Sequence, residues 1–174
     1  MKQTVEIISD LTSAPENVDL ALEGIELILA CTSALDIVCT SRVFRLSRRL
    51  GNVFDKKHYN LPLGTATNTV LLTTQQIIEG NQHLMGEASI RPNNPGGVAV
   101  VDVTDPNSIA TTTAHELGHL LRVKVNDPSR HCPDSNCLMY TSIEEELLYA
   151  NTPRILGFYQ QDFCSGCADE LHAL

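Results

Sequence analysis

The sequence lacks a long apolar run and an excess of basic residues, and no secretory leader is expected at its N-terminus. Its longest apolar stretch, Gly24 to Leu35, is broken by Glu26, Thr32 and Ser33. It falls well short of the roughly 20 residues that cross a bilayer, so no membrane partner is expected. Twelve Lys and Arg stand against 21 Asp and Glu, a net charge of −9, which argues against nucleic acid and anionic membrane surfaces as partners. Lys2 is followed by Glu6 and Asp10, acids that a secretory h-region does not tolerate. A chain opening at Met1 without such a leader is expected to stay in the cytoplasm. No internal repeat or low-complexity tract is visible either.

What is present fits one domain with a small appendix. The 174 residues are 43% hydrophobic and 19% charged, enough apolar side chain for a real core. Val5 to Asp10 reads as a strand. Pro15 opens an apolar-periodic helix through Val18, Leu22, Ile25 and Leu29. Asp36 to Leu46 reads as a second strand, Leu50 to Gly64 as loop and Asn68 to Thr74 as a third strand. Gln82 to Ile90 is extended, Arg91 to Gly97 is a turn, and Val98 to Val103 is a strand suited to burial on both faces. Asp105 caps a helix with Pro106 at its first position, running to about Arg122. The order predicts an α/β (α+β) layer over residues 1–123, and a turn-rich, cysteine-rich subdomain over 124–174 with one helix at Ile143 to Ala150.

The informative residues lie on the second helix, at His115-Glu116-Leu117-Gly118-His119. Positions i and i+4 of a helix are about 40° apart in azimuth and about 6 Å apart in rise. Two imidazoles so placed can meet one Zn²⁺, and Glu116 then reaches the attacking water rather than the metal. Ile109, Ala110, Thr113, Ala114, Leu117, Leu120 and Leu121 form an apolar stripe roughly opposite the histidines. That stripe predicts one side packed on the sheet and the other facing a cleft. A catalytic zinc normally takes three protein ligands. Asp127, a distant Glu and His131 are candidates, and His131 is preferred because a turn at Asn126, Asp127 and Pro128 lets the chain double back.

Cys132 and Cys137 are separated by four residues, Cys164 and Cys167 by two, and the pairs by 26. Two such pairs suit a closed tetrahedral Cys₄ zinc that staples a subdomain with little core of its own. Two disulfides or a redox C-x-x-C are the alternatives, but a reducing compartment disfavours the first and the missing βαβ context the second. Cys31 and Cys39 read as core residues.

At these residues the chain resembles an archaemetzincin, a branch of the metzincin clan of zinc metallopeptidases. The family pattern H-E-x-x-H-x-x-G-x-x-H-C-x4-C-x-M, with a later C-x-x-C, is matched here in three parts. They are His115-Glu116-x-x-His119, His131-Cys132-x4-Cys137-Leu138-Met139 and Phe163-Cys164-x-x-Cys167. Met85-Gly86-Glu87-Ala88 and Val98-Ala99-Val100-Val101 resemble the family's edge strand and the strand before its active-site helix. The resemblance implies a catalytic zinc on His115, His119 and His131 with Glu116 as general base, and a structural zinc on Cys132, Cys137, Cys164 and Cys167. It implies a Met-turn at Met139 below the catalytic metal. It also implies a metzincin-like upper subdomain, with a twisted, mostly parallel sheet and two long helices, over a small zinc-stapled lower one.

There is one departure. The family has five residues between its second and third His, with a Gly that turns the chain. Here there are eleven, and Arg122 stands where the Gly would be. Either the helix runs on and a longer loop returns His131 to the metal, or His131 misses it. A peptidase acting on peptides or small proteins is the function implied. A catalytically silent zinc protein whose long loop fills the cleft is the first alternative. A Cys₄ module on nucleic acid is the second, and it suffers from the acids Asp127, Asp134, Asp162, Asp169 and Glu170 around Arg130.

Overall fold

The computed structural model describes residues 3–10, 13–33, 35–37, 42–44, 67–75, 77–79, 82–90, 96–124, 126, 127, 129–140 and 162–174. Strand β1 (Gln3–Asp10) leads into helix α1 (Glu16–Leu29), which begins directly after Pro15 as the sequence predicts. The second predicted strand is represented by two short pieces, β2 (Leu35–Ile37) and β3 (Arg42–Phe44), both parallel to β1. Then come β4 (Asn68–Thr73), β5 (Ile77–Glu79), β6 (Gln82–Leu84), β7 (Gly86–Ile90) and β8 (Gly97–Asp102). A 3-10 turn at Pro106–Ser108 feeds α2 (Ile109–Leu120), and α3 (Ser165–His172) lies near the C-terminus. The predicted loop at 50–64 and helix at 143–150 lie outside the described residues.

The main sheet has the order β2–β1–β4–β8–β7, with β3 also on β1. β1, β4 and β8 are parallel, in the register Ile7↔Val70↔Ala99, and β7 is antiparallel to β8. Parallel strands are buried on both faces, and β4 is buried at every position. One face receives α1 and α2. The other is covered in part by the β5–β6 hairpin, whose Ile77 and Leu84 pack on Ile8, Leu71 and Val100. Gly24 lets α1 meet α2 at close range. A Cβ there would run into the carbonyl oxygen of Ala110 and come within 2.9 Å of Thr113 Cβ.

Among the described residues, those of the C-terminal part share the core of the sheet and helices. Cys132, Cys137, Leu138, Met139, Cys167 and Leu171 join the same buried cluster as Ile25, Val101 and Leu117. This mixed α/β layer, with a mostly parallel sheet and a cysteine cluster beside it, is the fold class expected.

Helix α2 is more deeply buried than its sequence suggests, and it ends sooner. Thr111, Thr112, Thr113, His115 and Glu116 are buried beside most of the apolar stripe, while Ala110 and His119 are half-buried. The helix does not run on past its histidines. The Arg122 N–H donates to His119 O at 2.9 Å and the Val123 N–H to Gly118 O at 3.0 Å. That pair of bonds is a Schellman stop, and it needs a left-handed residue just past the helix end. Arg122 supplies it, with φ at 67°. The arginine occupying the family's glycine position thus adopts a glycine-like conformation, and the buried Val123 completes the cap.

A left-handed conformation costs an L-residue roughly 1–2 kcal/mol that glycine does not incur. Arg122→Gly is therefore expected to stabilise the fold by about 1 kcal/mol, less glycine's greater loss of chain entropy. In a thermal melt this is a rise of a few degrees. A lower melting temperature would refute this account of the helix end.

Candidate metal centres

The first centre is built on α2. His115 and Glu116 are buried, at 4% and 3% exposure, while His119 is half-buried at the last turn. His115 Nε2 and His119 Nε2 are 3.1 Å apart, as helical spacing dictates. His131 reaches the pair. Its ring centroid is 5.4 Å from that of His115 and 4.9 Å from that of His119. One ring nitrogen from each of the three lies within 4.8 Å of the others.

The loop that returns His131 is pinned at several points. The Lys124 N–H donates to Glu170 Oε2 at 2.7 Å, and Lys124 Nζ meets Glu170 Oε1 at 2.9 Å, which fastens the loop to α3. Lys124 and Arg130, like Arg122, have positive φ and turn the chain. Asp127, the rival ligand, is used in this turn instead: its Oδ1 accepts the Ser129 N–H at 2.9 Å and the Ser129 hydroxyl at 2.7 Å. These bonds hold the Asp127 carboxyl below its ordinary range. Ser129 O in turn accepts from His131 Nδ1 at 2.7 Å.

Both outer bonds set tautomers. His115 Nδ1 donates to Leu138 O at 2.6 Å, and His131 Nδ1 to Ser129 O. Each ring then keeps its Nε2 lone pair for a cation, the arrangement found behind metal-bound histidines. Burial also keeps the rings neutral. His115 is lowered from 6.5 to about 4, chiefly by desolvation. His119 is lowered by burial first and then by the neighbouring His115 and His131. Burial lowers His131 as well, against the opposing Ser129 bond. Tetrahedral zinc at 2.0–2.1 Å places its nitrogens about 3.3 Å apart, so the His115–His119 spacing fits such an ion.

The second centre gathers Cys132, Cys137, Cys164 and Cys167, whose sulfurs also lie within 4.8 Å of one another. Cys132 Sγ and Cys164 Sγ are 3.6 Å apart. That is too long for a disulfide and close to the roughly 3.8 Å edge of a tetrahedron with 2.3 Å metal–sulfur bonds. All four are free thiols. Cys137 Sγ accepts the Cys164 N–H at 3.3 Å, and the Met139 N–H also favours its thiolate. Burial nevertheless raises Cys137 to about 11 and raises Cys167 further. Burial also acts to raise Cys164, but hydrogen bonds, first that of the Cys167 backbone, outweigh it and leave this thiol lowered. Such a set carries four thiolates only with a cation among them. Cys31 is not part of it: it packs half-buried at the end of α1, and Cys39 lies outside the described residues.

The segment Cys137 to Tyr140 joins the two centres. The Tyr140 N–H donates to Cys137 O at 2.9 Å and closes a turn, and the Cys132 N–H donates to Met139 O at 2.7 Å. Met139 is fully buried, and a Cβ on Gly118 would come within 2.6 Å of its Sδ. The thioether therefore lies against the H-E-L-G-H helix at its one bare position. Ser129, Gly118 and the Leu138 carbonyl were not singled out from sequence, although Asp-x-Ser before His131 is a readable Asx-turn signal.

Comparison with known proteins gives a consistent family. No curated protein sequence matches the chain. An archaemetzincin of Methanopyrus kandleri is similar in structure, with a TM-score of 0.68 at 19% identity, over 98% of this chain and 93% of that one. An archaemetzincin of Archaeoglobus fulgidus, solved with malonate, has a TM-score of 0.64 at 18% identity, over 95% of this chain and 99% of that one. Residues 17–151 match the family described as Reprolysin (M12B) family zinc metalloprotease, a span that takes in all three histidines and the Met139 turn. On that match the chain belongs to the Reprolysin (M12B) family of zinc metalloproteases, and its fold is archaemetzincin-like.

Proposed function

We propose that the chain is a zinc-dependent peptidase in which His115, His119 and His131 hold the catalytic ion and Glu116 is the general base. The observation that carries this reading is the convergence of three neutral imidazoles, two of them tautomer-fixed, beside a buried carboxylate on the same helix. A zinc ion held by these residues would supply Lewis-acid chemistry, polarising the scissile carbonyl and lowering the pKa of the attacking water. Glu116, buried beside His115 on the same helix, would hold the proton of that water and pass it to the departing amine. An extended peptide adds to β7, the terminal strand of the sheet among the described residues, through main-chain hydrogen bonds. The four cysteines hold a second, structural zinc, and residues 1–123 and 124–174 act as one catalytic unit. Free thiols at such a site suit a reducing, cytoplasmic setting.

Three outcomes test this reading. Glu116→Gln is expected to keep both ions and the fold while hydrolysis of a peptide library falls by roughly 10²–10⁴. A variant as fast as the parent would reject Glu116 as the base. Cys164→Ser is expected to lose the thiolate-bound ion and also to weaken the histidine centre by about 10–100-fold, read by competition with a chromogenic chelator. The link is the Cys137–Met139 segment, which places Leu138 O and the Met139 side chain against α2. Unchanged affinity at the histidine centre would remove this coupling.

The third outcome follows from the protonation states. With His115 lowered to about 4 and His119 and His131 also below their ordinary value, the imidazoles are already neutral near pH 7. Metal entry there displaces fewer protons than at the thiolate centre, so its affinity depends less on pH. At the thiolate centre Cys137 and Cys167 are raised and must each lose a proton, so affinity climbs steeply with pH. Zinc titrations over a pH series are expected to give a shallower slope for the first than for the second. Equal slopes would contradict the assignment.

A further inference from the structure

Gly86 opens β7 and is buried against α2. A Cβ built on it would lie 2.6 Å from Thr112 Cγ2, 2.7 Å from Glu116 Cγ and 2.8 Å from Glu116 Oε1. Non-bonded carbons rest at about 3.5–4.0 Å, so no side chain fits there while Glu116 stays in place. Thr112 and Glu116 stand at i and i+4, on one face of the helix, and both are buried. The strand is held as well. Gly86 pairs with Val101, and the preceding Met85 O accepts the Asp102 N–H at 2.8 Å. Moving β7 away breaks that register, and moving α2 disturbs its packing on the sheet. The Glu116 side chain is therefore seated against the bare backbone of Gly86, which leaves room for its Cγ and Oε1.

We propose that Gly86 is the positioning residue for the Glu116 carboxylate, an inference that rests on the reading of Glu116 as the general base. A methyl at position 86 takes the volume now held by Cγ and Oε1 and turns the carboxylate aside. The histidines are not among the nearest atoms such a methyl meets, so metal binding is left intact. A displacement on the order of 1 Å at a reacting group costs about 100-fold in rate.

The test compares the full chain with Gly86→Ala and Glu116→Gln, each loaded with zinc and, separately, with Co²⁺ in the histidine centre. Gly86→Ala is expected to bind metal with parental affinity and to lose about 10–100-fold in kcat with little change in KM. The pH midpoint of its cobalt absorption spectrum is expected to move in the same direction as that of Glu116→Gln, a readout that needs no substrate. Glu116→Asp, whose shorter chain draws the carboxylate back from position 86, is expected to cost less in the Gly86→Ala background than in the parent. A parental kcat and midpoint in Gly86→Ala, with both altered in Glu116→Gln, would overturn the positioning role and leave the base in place. No change of either in Glu116→Gln would sink the reading of the base itself. If Gly86→Ala fails to fold, Gly86→Ala with Thr112→Ser removes the methyl contact, keeps both Glu116 contacts and carries the same measurements.

Discussion

The hydrogen bond from His115 Nδ1 to Leu138 O, at 2.6 Å between two buried partners, is the constraint on which the rest of the site depends. It spans 23 residues of sequence and fixes three things together. It sets the tautomer of the first histidine. It presses the Cys137–Tyr140 turn onto α2. It also satisfies a buried carbonyl and a buried ring nitrogen, each of which would cost about 1–3 kcal/mol if left unpaired. The turn cannot leave the helix without paying that desolvation twice, nor can the ring rotate without losing its bond.

From that contact the two centres follow as one assembly. Leu138 donates its own N–H to Asp162 O at 3.1 Å, which brings the chain before α3 alongside the turn. Met139 contributes its N–H to the Cys137 sulfur, its carbonyl to the Cys132 N–H, and its side chain to the surface of Gly118. His131 and Cys132 are adjacent in sequence, so a shift at one centre is a shift at the other. The Lys124–Glu170 pair ties the return loop to α3. Its side chains are 20% and 40% exposed, so it guides the loop more than it stabilises the fold. The large term is burial: the cysteines, Leu138, Met139 and Leu171 complete a cluster begun by the sheet and the two long helices.

Much of this was legible because the signals were local. Strong periodicity and proline-marked starts at Pro15 and Pro106 placed β1, α1, β4, β8 and α2 to within a few residues, since caps and apolar faces act over one or two turns. The H-E-L-G-H spacing and the two cysteine pairs were readable for the same reason. Helix α3 was not. Only Cys167 and Leu171 of its eight residues are buried, and the C-S-G-C sequence reads as ligands rather than as a helix start. β5 is three residues long, too short to show an alternation. The burial of Thr111 and Thr112 beside the histidines was not legible, because their hydroxyl side chains carry no apolar signal. Backbone contributors left no trace. Leu138 O and Ser129 O act through carbonyls that every residue possesses, and Gly86 and Gly118 act through the absence of a side chain.

The length of the His119–His131 link then has a definite physical meaning. Lengthening a flexible loop from five residues to eleven adds only about 0.7 kcal/mol of closure entropy, too little to cost a centre its third ligand. What decides whether the imidazole arrives is local geometry at the two ends. At the first, the Schellman bonds through Arg122 and Val123 stop the helix at its second histidine and reverse the chain. At the other, Asp127 and Ser129 form a knot of hydrogen bonds that presents His131 with its Nδ1 already engaged. The intervening residues need only span the gap, and Lys124 anchors them partway on Glu170. An imidazole held this way stands beside His115 and His119 through the protein's own hydrogen bonds. The extra loop length therefore weakens the centre by less than a tenfold change in affinity, the equivalent of about 1.4 kcal/mol.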